Sequence, residues 1–148
     1  MSSLARAEID IDAPAATVWA YVTDWPRQAE WIPLTRVEAV DEARSVGGRL
    51  RAWTGVGPVG FWDTMTISVW EEPAWEEPSD GSARCEVVHT GAVLRGDGGF
   101  VVTARGEACT FTWWERLSLP GGRAMRTLAD WSLRRLAARM GEQARAAG

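Results

Sequence analysis

The hydrophobic and polar positions of the final stretch, residues 122–147, follow the period of an α-helix. Its apolar residues recur at spacings of three and four, which places them on one face of a helix. These residues are Met125, Leu128, Ala129, Leu133, Leu136 and Met140. At 1.5 Å per residue, a helix of this length runs roughly 35–40 Å, enough to cross a small domain. The pattern therefore predicts one long C-terminal helix that the rest of the chain is built to hold.

Most of the preceding chain alternates between apolar and polar residues, the pattern of half-buried β-strands. The first strand is predicted over Ala5–Ile11, and two short helices follow, one starting at Ala13 and one at Asp24. Six further strands are predicted over residues 35–40, 49–54, 61–70, 85–90, 93–104 and 108–119, with residues 55–58 as a turn and 71–82 as an exposed loop. Short turns between strands predict an antiparallel sheet, and segregated helices predict the α+β class. A sheet wrapped around the long helix would leave a cavity between them.

Alternation also predicts which face of the sheet each side chain occupies. In the clearest strand, Phe61, Asp63, Met65, Ile67 and Val69 face one way, and Trp62, Thr64, Thr66, Ser68 and Trp70 face the other. The same rule puts Trp53 and Arg51 on the outer face beside inward Leu50 and Ala52. A cluster of outer tryptophans indicates either a homodimer contact or simple surface cover. Trp131 lies off the apolar stripe of the C-terminal helix and has no assigned role.

Length and charge exclude several classes of protein. The chain has 148 residues, which favours a single domain over residues 1–148, and a net charge of −4 without a basic stripe, which argues against nucleic-acid binding. The N-terminus lacks the apolar core of a signal peptide, and no apolar run is long enough for an integral membrane segment. The two cysteines, Cys85 and Cys109, are too few for a disulfide framework and lie in predicted strands. We expect a reduced, cytoplasmic protein.

Several segments together resemble the helix-grip fold of the START-like (SRPBCC) superfamily, which includes polyketide cyclases and aromatases, pollen-allergen-type carriers and coenzyme Q-binding proteins. These segments are residues 9–19 (IDIDAPAATVW), 22–26 (VTDWP) with 31–33 (WIP), 48–51 (GRLR), 69–73 (VWEEP) and the terminal helix. Residues 84–91 (RCEVVHTG) with Arg95 and Gly96 resemble a bacterial subgroup described as cyclase/dehydrase-like. The resemblance implies a curved antiparallel sheet of about seven strands around a long C-terminal helix, with two short helices after the first strand. It implies no particular activity, because this scaffold hosts enzymes, carriers and regulators.

Three ionisable residues are predicted to share faces with apolar neighbours and so to point into the cavity: Asp63, His89 and Glu115. A carboxylate on an apolar face is costly unless it is paired, so such a residue marks a buried network or a functional site. An imidazole between two acids would suit proton transfer at a carbonyl, as a cyclase or aromatase requires. The simpler alternatives are a core histidine satisfied by the backbone, and acids at strand ends exposed to water. Their mutual distances depend on strand register, which remains open.

Apolar and aromatic side chains are predicted to form the rest of a ligand site. We assign to it Trp31, Phe61, Met65, Phe111, Trp113 and Leu128, together with the three candidate catalytic residues. Trp25 and Trp31, on the short helices, resemble a lid over the cavity mouth in this fold. One histidine and two separated cysteines predict no metal site, and no cofactor is expected. Glycines 91, 96, 98 and 99 lack the context of a phosphate loop and mark bulges or room for a ligand.

Three hypotheses of function follow. The first is a carrier or sensor that binds a small hydrophobic, polyketide- or lipid-like ligand in the cavity. The second is an enzyme of the polyketide cyclase/aromatase type, with Asp63, His89 and Glu115 in acid–base roles. The third is a regulator of the toxin or quinone-chaperone type that docks on a partner through the outer tryptophan surface. We favour the first, and the sequence alone does not decide whether the protein is an enzyme.

Overall fold

The described part of the structure, a computed structural model, comprises residues 3–75, 81–117 and 122–147, with side chains for residues 4–75, 81–117 and 127–140. Its strands are β1 (Ser3–Ile11), β2 (Thr35–Ala39), β3 (Arg49–Val56), β4 (Val59–Glu71), β5 (Ser82–Thr90), β6 (Arg95–Arg105) and β7 (Ala108–Leu117). Its α-helices are α1 (Ala15–Val22) and α2 (Gly122–Ala147), and a 3₁₀ helix spans Trp25–Glu30. The predicted element order and the helix-grip fold are confirmed. The second short helix is a 3₁₀ helix.

The seven strands form one antiparallel sheet in the order β1-β7-β6-β5-β4-β3-β2. Each strand pairs with its neighbour in sequence, except that β1 closes against β7. Antiparallel hairpins need only short turns, which is why the chain reads as strands interrupted by glycine-containing segments. The predicted turn over residues 55–58 is shorter in the structure, since Val56 and Val59 still pair and Gly57 adopts a positive φ of 58°.

The core lies between the sheet and the three helices. α2 packs on β1, and its residues Ala129, Leu133, Leu136 and Met140 are buried as predicted. Met125 lies outside the described side chains. Arg135 of α2 donates a hydrogen bond to the backbone carbonyl of Glu30 at 2.9 Å, which ties α2 to the end of the 3₁₀ helix.

A row of aromatic rings runs through this core. The rings in contact, with centroids 5.2–5.9 Å apart, are Trp70–Trp19, Trp19–Phe100, Phe100–Phe111, Phe111–Trp31 and Trp31–Trp113. Edge-to-face aromatic pairs add stabilisation beyond the area that they bury. The row therefore forms one continuous aromatic wall within the core.

Trp70 belongs to this wall, so its predicted outer position is wrong. Ile67 pairs with Val87 but Val69 pairs with Glu86, which leaves Ser68 as an extra residue in β4. A β-bulge of this kind reverses the alternation beyond it. Trp70 consequently lies opposite Cys85, a buried residue, and packs on Trp19.

Two further details differ from the sequence-based expectation. The segment predicted as an exposed loop contains Trp75, which packs against the core, while residues 76–80 lie outside the described part. The predicted strand over residues 93–104 begins only at Arg95. On the outer face, Trp53 and Trp62 contact each other with ring centroids 5.5 Å apart, as alternation predicts.

Candidate functional site

A cavity of about 380 Å³ lies between the concave face of the sheet, the 3₁₀ helix and α2. Its walls are largely apolar and aromatic. Eight of the nine residues predicted to bind a ligand line it: Trp31, Phe61, Asp63, Met65, His89, Trp113, Glu115 and Leu128. This size is at the lower end of what small-molecule sites in proteins occupy.

The ninth predicted residue, Phe111, is not among the lining residues. Alternation correctly puts Phe111 on the concave face, where it is fully buried. It stacks on Phe100 and meets Trp31 edge-on, so these rings stand between Phe111 and the cavity. Phe111 therefore belongs to the packed core on the concave face, and its assignment to the ligand site stays a prediction.

Several lining residues were missing from the predicted site. They include Trp25, Gln28, Val37, Leu50, Ala52, Thr54, Cys85, Val87, Phe100 and Leu117. Alternation alone could have found Leu50 and Ala52, since both were predicted to point inward. Gln28 carries no comparable signal, because its role depends on the 3₁₀ helix that closes the cavity. Its side-chain amide donates to the carbonyl of Val22 at 2.7 Å and holds that helix against α1.

The three candidate acid–base residues form one hydrogen-bonded cluster in the cavity wall. His89 Nδ1 lies 2.8 Å from Asp63 Oδ1, and His89 Nε2 lies 2.8 Å from Glu115 Oε2. Glu115 Oε1 also accepts a hydrogen bond from the Trp113 indole N–H at 3.2 Å. We call Asp63, His89 and Glu115 the Asp–His–Glu cluster. Both histidine nitrogens meet carboxylates, so the interpretation as a histidine satisfied by the backbone is wrong.

Burial distinguishes the members of the cluster. The side chains of His89 and Asp63 are only 3% and 9% exposed, whereas that of Glu115 is 22% exposed. Asp63 lies in the middle of β4, so the alternative of a water-exposed strand end is wrong for it. Glu115 is the member most open to the cavity and to solvent.

The strand register explains how Asp63 reaches His89. Met65 of β4 pairs with His89 of β5, and Asp63 is two residues before Met65 on the same face. Diagonal neighbours of this kind on adjacent antiparallel strands lie within reach of long side chains. The contact needs no irregularity in the sheet.

Glu115 reaches His89 across a whole intervening strand. Gly96 of β6 pairs with His89, and Gly98 of β6 pairs with Glu115. Neither glycine puts a side chain on the concave face, so the imidazole and the carboxylate meet above β6. A Cβ atom at Gly98 would lie 2.1 Å from Glu115 Oε2. Gly98 was predicted to mark a bulge or room for a ligand. In the structure it leaves room for the side chain of Glu115.

The two carboxylates hold His89 in its protonated form. Burial lowers the pKa of His89, but hydrogen bonds and charge attraction from Asp63 and Glu115 outweigh it and raise the pKa to about 10. An ionised carboxylate can only accept a hydrogen bond, so each of the two contacts needs an N–H donor from the ring. Both ring nitrogens therefore carry a proton. At neutral pH the cluster is thus an imidazolium between two carboxylates.

Cys85 also lines the cavity. Burial raises the pKa of the Cys85 thiol to about 12, which keeps it protonated and unreactive. Within residues 3–75, 81–117 and 122–147, no group of three or more His, Cys, Asp and Glu side chains is arranged to hold a metal ion.

No helix in this part of the chain is long and apolar enough to cross a membrane.

Gly98→Ala is expected to push the Glu115 carboxylate away from His89, because the new methyl group would overlap it. Losing one partner should lower the pKa of His89 below about 10. His89 is the only histidine, so an NMR titration of its imidazole reports this directly. Glu115→Gln should lower the pKa similarly, and adding Gly98→Ala to it should change little. An unchanged pKa in folded Gly98→Ala protein would contradict this role.

Comparisons with known proteins agree with this architecture. Residues 4–146 match the family described as polyketide cyclase / dehydrase and lipid transport. No protein among the curated sequences matches the chain. Solved structures that share 14–16% identity with the chain have the same fold.

The structure of the Zhui aromatase/cyclase from Streptomyces sp. R1128 is similar with a TM-score of 0.65 and 16% identity, over 100% of this chain and 99% of that one. A STAR-related lipid transfer protein from Xanthomonas axonopodis gives a TM-score of 0.68 and 14% identity, over 91% and 84% of the chains. A START superfamily protein from Mycobacterium smegmatis gives a TM-score of 0.66 and 14% identity, over 95% and 98%.

Proposed function

Because the chain belongs to the polyketide cyclase / dehydrase and lipid transport family, we propose that the protein binds a small, mostly apolar or aromatic molecule as a carrier or sensor. The ligand occupies the cavity between the sheet and α2. The observation that carries this proposal is the cavity itself, about 380 Å³ of space with mostly apolar walls and one polar cluster. Apolar walls supply affinity by removing ligand surface from water, and the few polar groups orient the ligand.

The state of His89 favours binding over catalysis. A general acid or base works best when its pKa lies near the working pH. The pKa of His89 is raised to about 10, and both of its nitrogens already bind carboxylates. The imidazole is therefore neither free to take up a proton nor ready to release one. Its role in this proposal is to hold Asp63 and Glu115 in place.

A cyclase- or aromatase-like enzyme is the second candidate, and the Asp–His–Glu cluster is the observation that favours it. In this alternative the partly exposed Glu115 carries the proton transfer and His89 positions it. Such an enzyme should show a substrate-dependent pH profile that Glu115→Gln abolishes. A carrier should keep binding in the same variant, with at most a changed affinity.

Ala52→Phe is expected to block the cavity and weaken ligand binding by roughly tenfold or more. Ala52 is 4% exposed, lines the cavity and pairs with Asp63 across β3 and β4. The added ring has the cavity to enter, so the fold should tolerate it. Calorimetric titration with naphthylmethanol, a neutral aromatic probe, measures the loss. Native mass spectrometry of the wild-type protein, followed by a denaturing run, identifies any molecule that co-purifies.

Ala20→Phe provides the matched control, since it adds the same ring at an exposed position of α1. Naphthylmethanol should bind this variant like the wild type. Equal binding to folded Ala52→Phe protein would show that the probe sits elsewhere. Absence of binding to the wild type, together with no co-purified molecule, would shift support to the enzyme.

A further inference from the structure

The charged side chains of the cavity wall sum to a net negative charge. Among the described lining residues, Asp63 and Glu115 are the acidic ones and His89 is the basic one, and the rest are apolar, aromatic or neutral polar side chains. An imidazolium between two carboxylates leaves the cluster with one net negative charge. No described lining residue is an arginine, although the chain has 16 positively charged residues.

The hydrogen bonds of the cluster leave acceptors free but no donors. The two N–H groups of the His89 imidazolium are both directed at carboxylates, and the Trp113 N–H is directed at Glu115. A carboxylate has about four acceptor positions, so Asp63 and Glu115 can accept further hydrogen bonds. The cluster can therefore accept hydrogen bonds from a ligand, but its own donors are all in use.

One buried N–H of the wall has no hydrogen-bond partner among the described residues. Trp31 lines the cavity and is 1% exposed, and its indole N–H has no hydrogen-bond partner. A single neutral N–H cannot offset the full charge of a ligand carboxylate or phosphate.

We propose that the natural ligand is an amine, with an apolar or aromatic body in the cavity and a protonated nitrogen at Asp63 and Glu115. This inference rests on the proposed function and names the chemical class of its ligand. Taking an ammonium group out of water is costly unless it meets opposite charge and hydrogen-bond acceptors, and the cluster offers both. The indole ring of Trp113 beside Glu115 adds an electron-rich surface that favours a cation.

The same geometry disfavours ligands that end in an acid group. A carboxylate in the cavity would face the net negative charge of Asp63 and Glu115 with His89 already engaged. Repulsion between like charges is strong where water is excluded. Fatty acids and phosphorylated compounds should therefore bind weakly even where their apolar parts fit.

Three probes that share a naphthalene body test this inference by calorimetry near neutral pH. They are naphthylmethylammonium, naphthylmethanol and naphthoate, which differ mainly in charge. We expect naphthylmethylammonium to bind at least roughly tenfold more tightly than naphthoate, with naphthylmethanol between them. In Glu115→Gln, which removes one negative charge from the cluster, the advantage of the ammonium over the alcohol should shrink.

Asp97→Asn serves as the matched control. It makes the same charge change on the neighbouring strand β6, where Asp97 pairs with Arg116 outside the set of cavity-lining residues. The probe ranking should be unchanged in it, which separates the local charge from the net charge of the protein. If Glu115→Gln does not fold, the ranking in the wild type decides alone.

The outcomes separate the two proposals. If naphthylmethanol binds but naphthoate binds as well as the ammonium or better, the amine inference fails and the proposed function stands. If none of the three probes binds and no molecule co-purifies with the wild type, the proposed function fails and the inference with it. A ranking that Asp97→Asn changes as much as Glu115→Gln does would also overturn the inference.

Discussion

Replacing His89 with alanine is expected to lower the free energy of unfolding by about 3–5 kcal/mol, because removing one partner of a buried ion pair leaves charge without compensation. Asp63 and Glu115 would then lie close together with no cation between them. The side chain of Asp63 is 9% exposed, so water can compensate it only slightly. Urea unfolding followed by tryptophan fluorescence measures the loss.

Two controls test whether the loss of stability comes from uncompensated buried charge. Arg6→Ala breaks the exposed ion pair between Arg6 and Glu8, whose side chains are 60% and 49% exposed, and should cost less than about 1 kcal/mol. Adding Asp63→Asn and Glu115→Gln to His89→Ala removes the uncompensated charges and should restore part of the stability. A loss below about 1 kcal/mol for His89→Ala alone would show that the imidazolium does not hold the cluster together.

The stability of the fold is expected to decrease as pH rises from about 6.5 towards 10. The pKa of His89 is raised from its ordinary value of 6.5 to about 10, so the folded state keeps a proton that the unfolded chain releases. Its contribution is fully present below pH 6.5 and is lost as pH approaches 10. In between, the free energy of unfolding should fall by roughly 1 kcal/mol per pH unit. Urea unfolding at several pH values measures this slope.

The interval from about pH 6.5 to 8.5 isolates His89. It is the only histidine. The thiols of Cys85 and Cys109 release their protons in the unfolded chain only near pH 9, and burial raises their pKa in the fold to about 12 and about 11, so they begin to lower stability above this interval. His89→Gln removes the titrating group and should flatten the profile in this interval. Stability that is constant or rises with pH in the wild type would show that His89 is neutral in the fold.

The elements of the fold could be predicted because their signals are local. Residues three and four apart share a face of α2, and alternate residues share a face of each strand, whatever the rest of the chain does. Alternation was therefore sufficient to place Asp63, His89 and Glu115 on the concave face. It also placed Trp53 and Trp62 on the outer face, and the register of β3 and β4 makes them neighbours there.

Local signals fail where the sheet departs from regularity or where one face serves two purposes. Trp70 reached the core because a bulge at Ser68 reverses the alternation, and nothing in residues 61–70 marks that bulge. Phe111 and Met65 both point to the concave face, but the first is enclosed by Phe100 and Trp31 and the second borders open space. Whether a residue on this face is enclosed in the core or borders the cavity depends on the helices packed against that face.

Periodicity over a few neighbouring residues predicts the fold class, the concave and convex faces of most strands and the residue types available to a ligand. It does not predict that Asp63, His89 and Glu115 form one cluster, because they lie on three different strands and meet only in the folded sheet. His89 and Glu115 are separated by β6 and meet above it, where Gly98 leaves room for the Glu115 carboxylate. Sheet order and register set that meeting, and both arise from pairings between residues far apart in the chain.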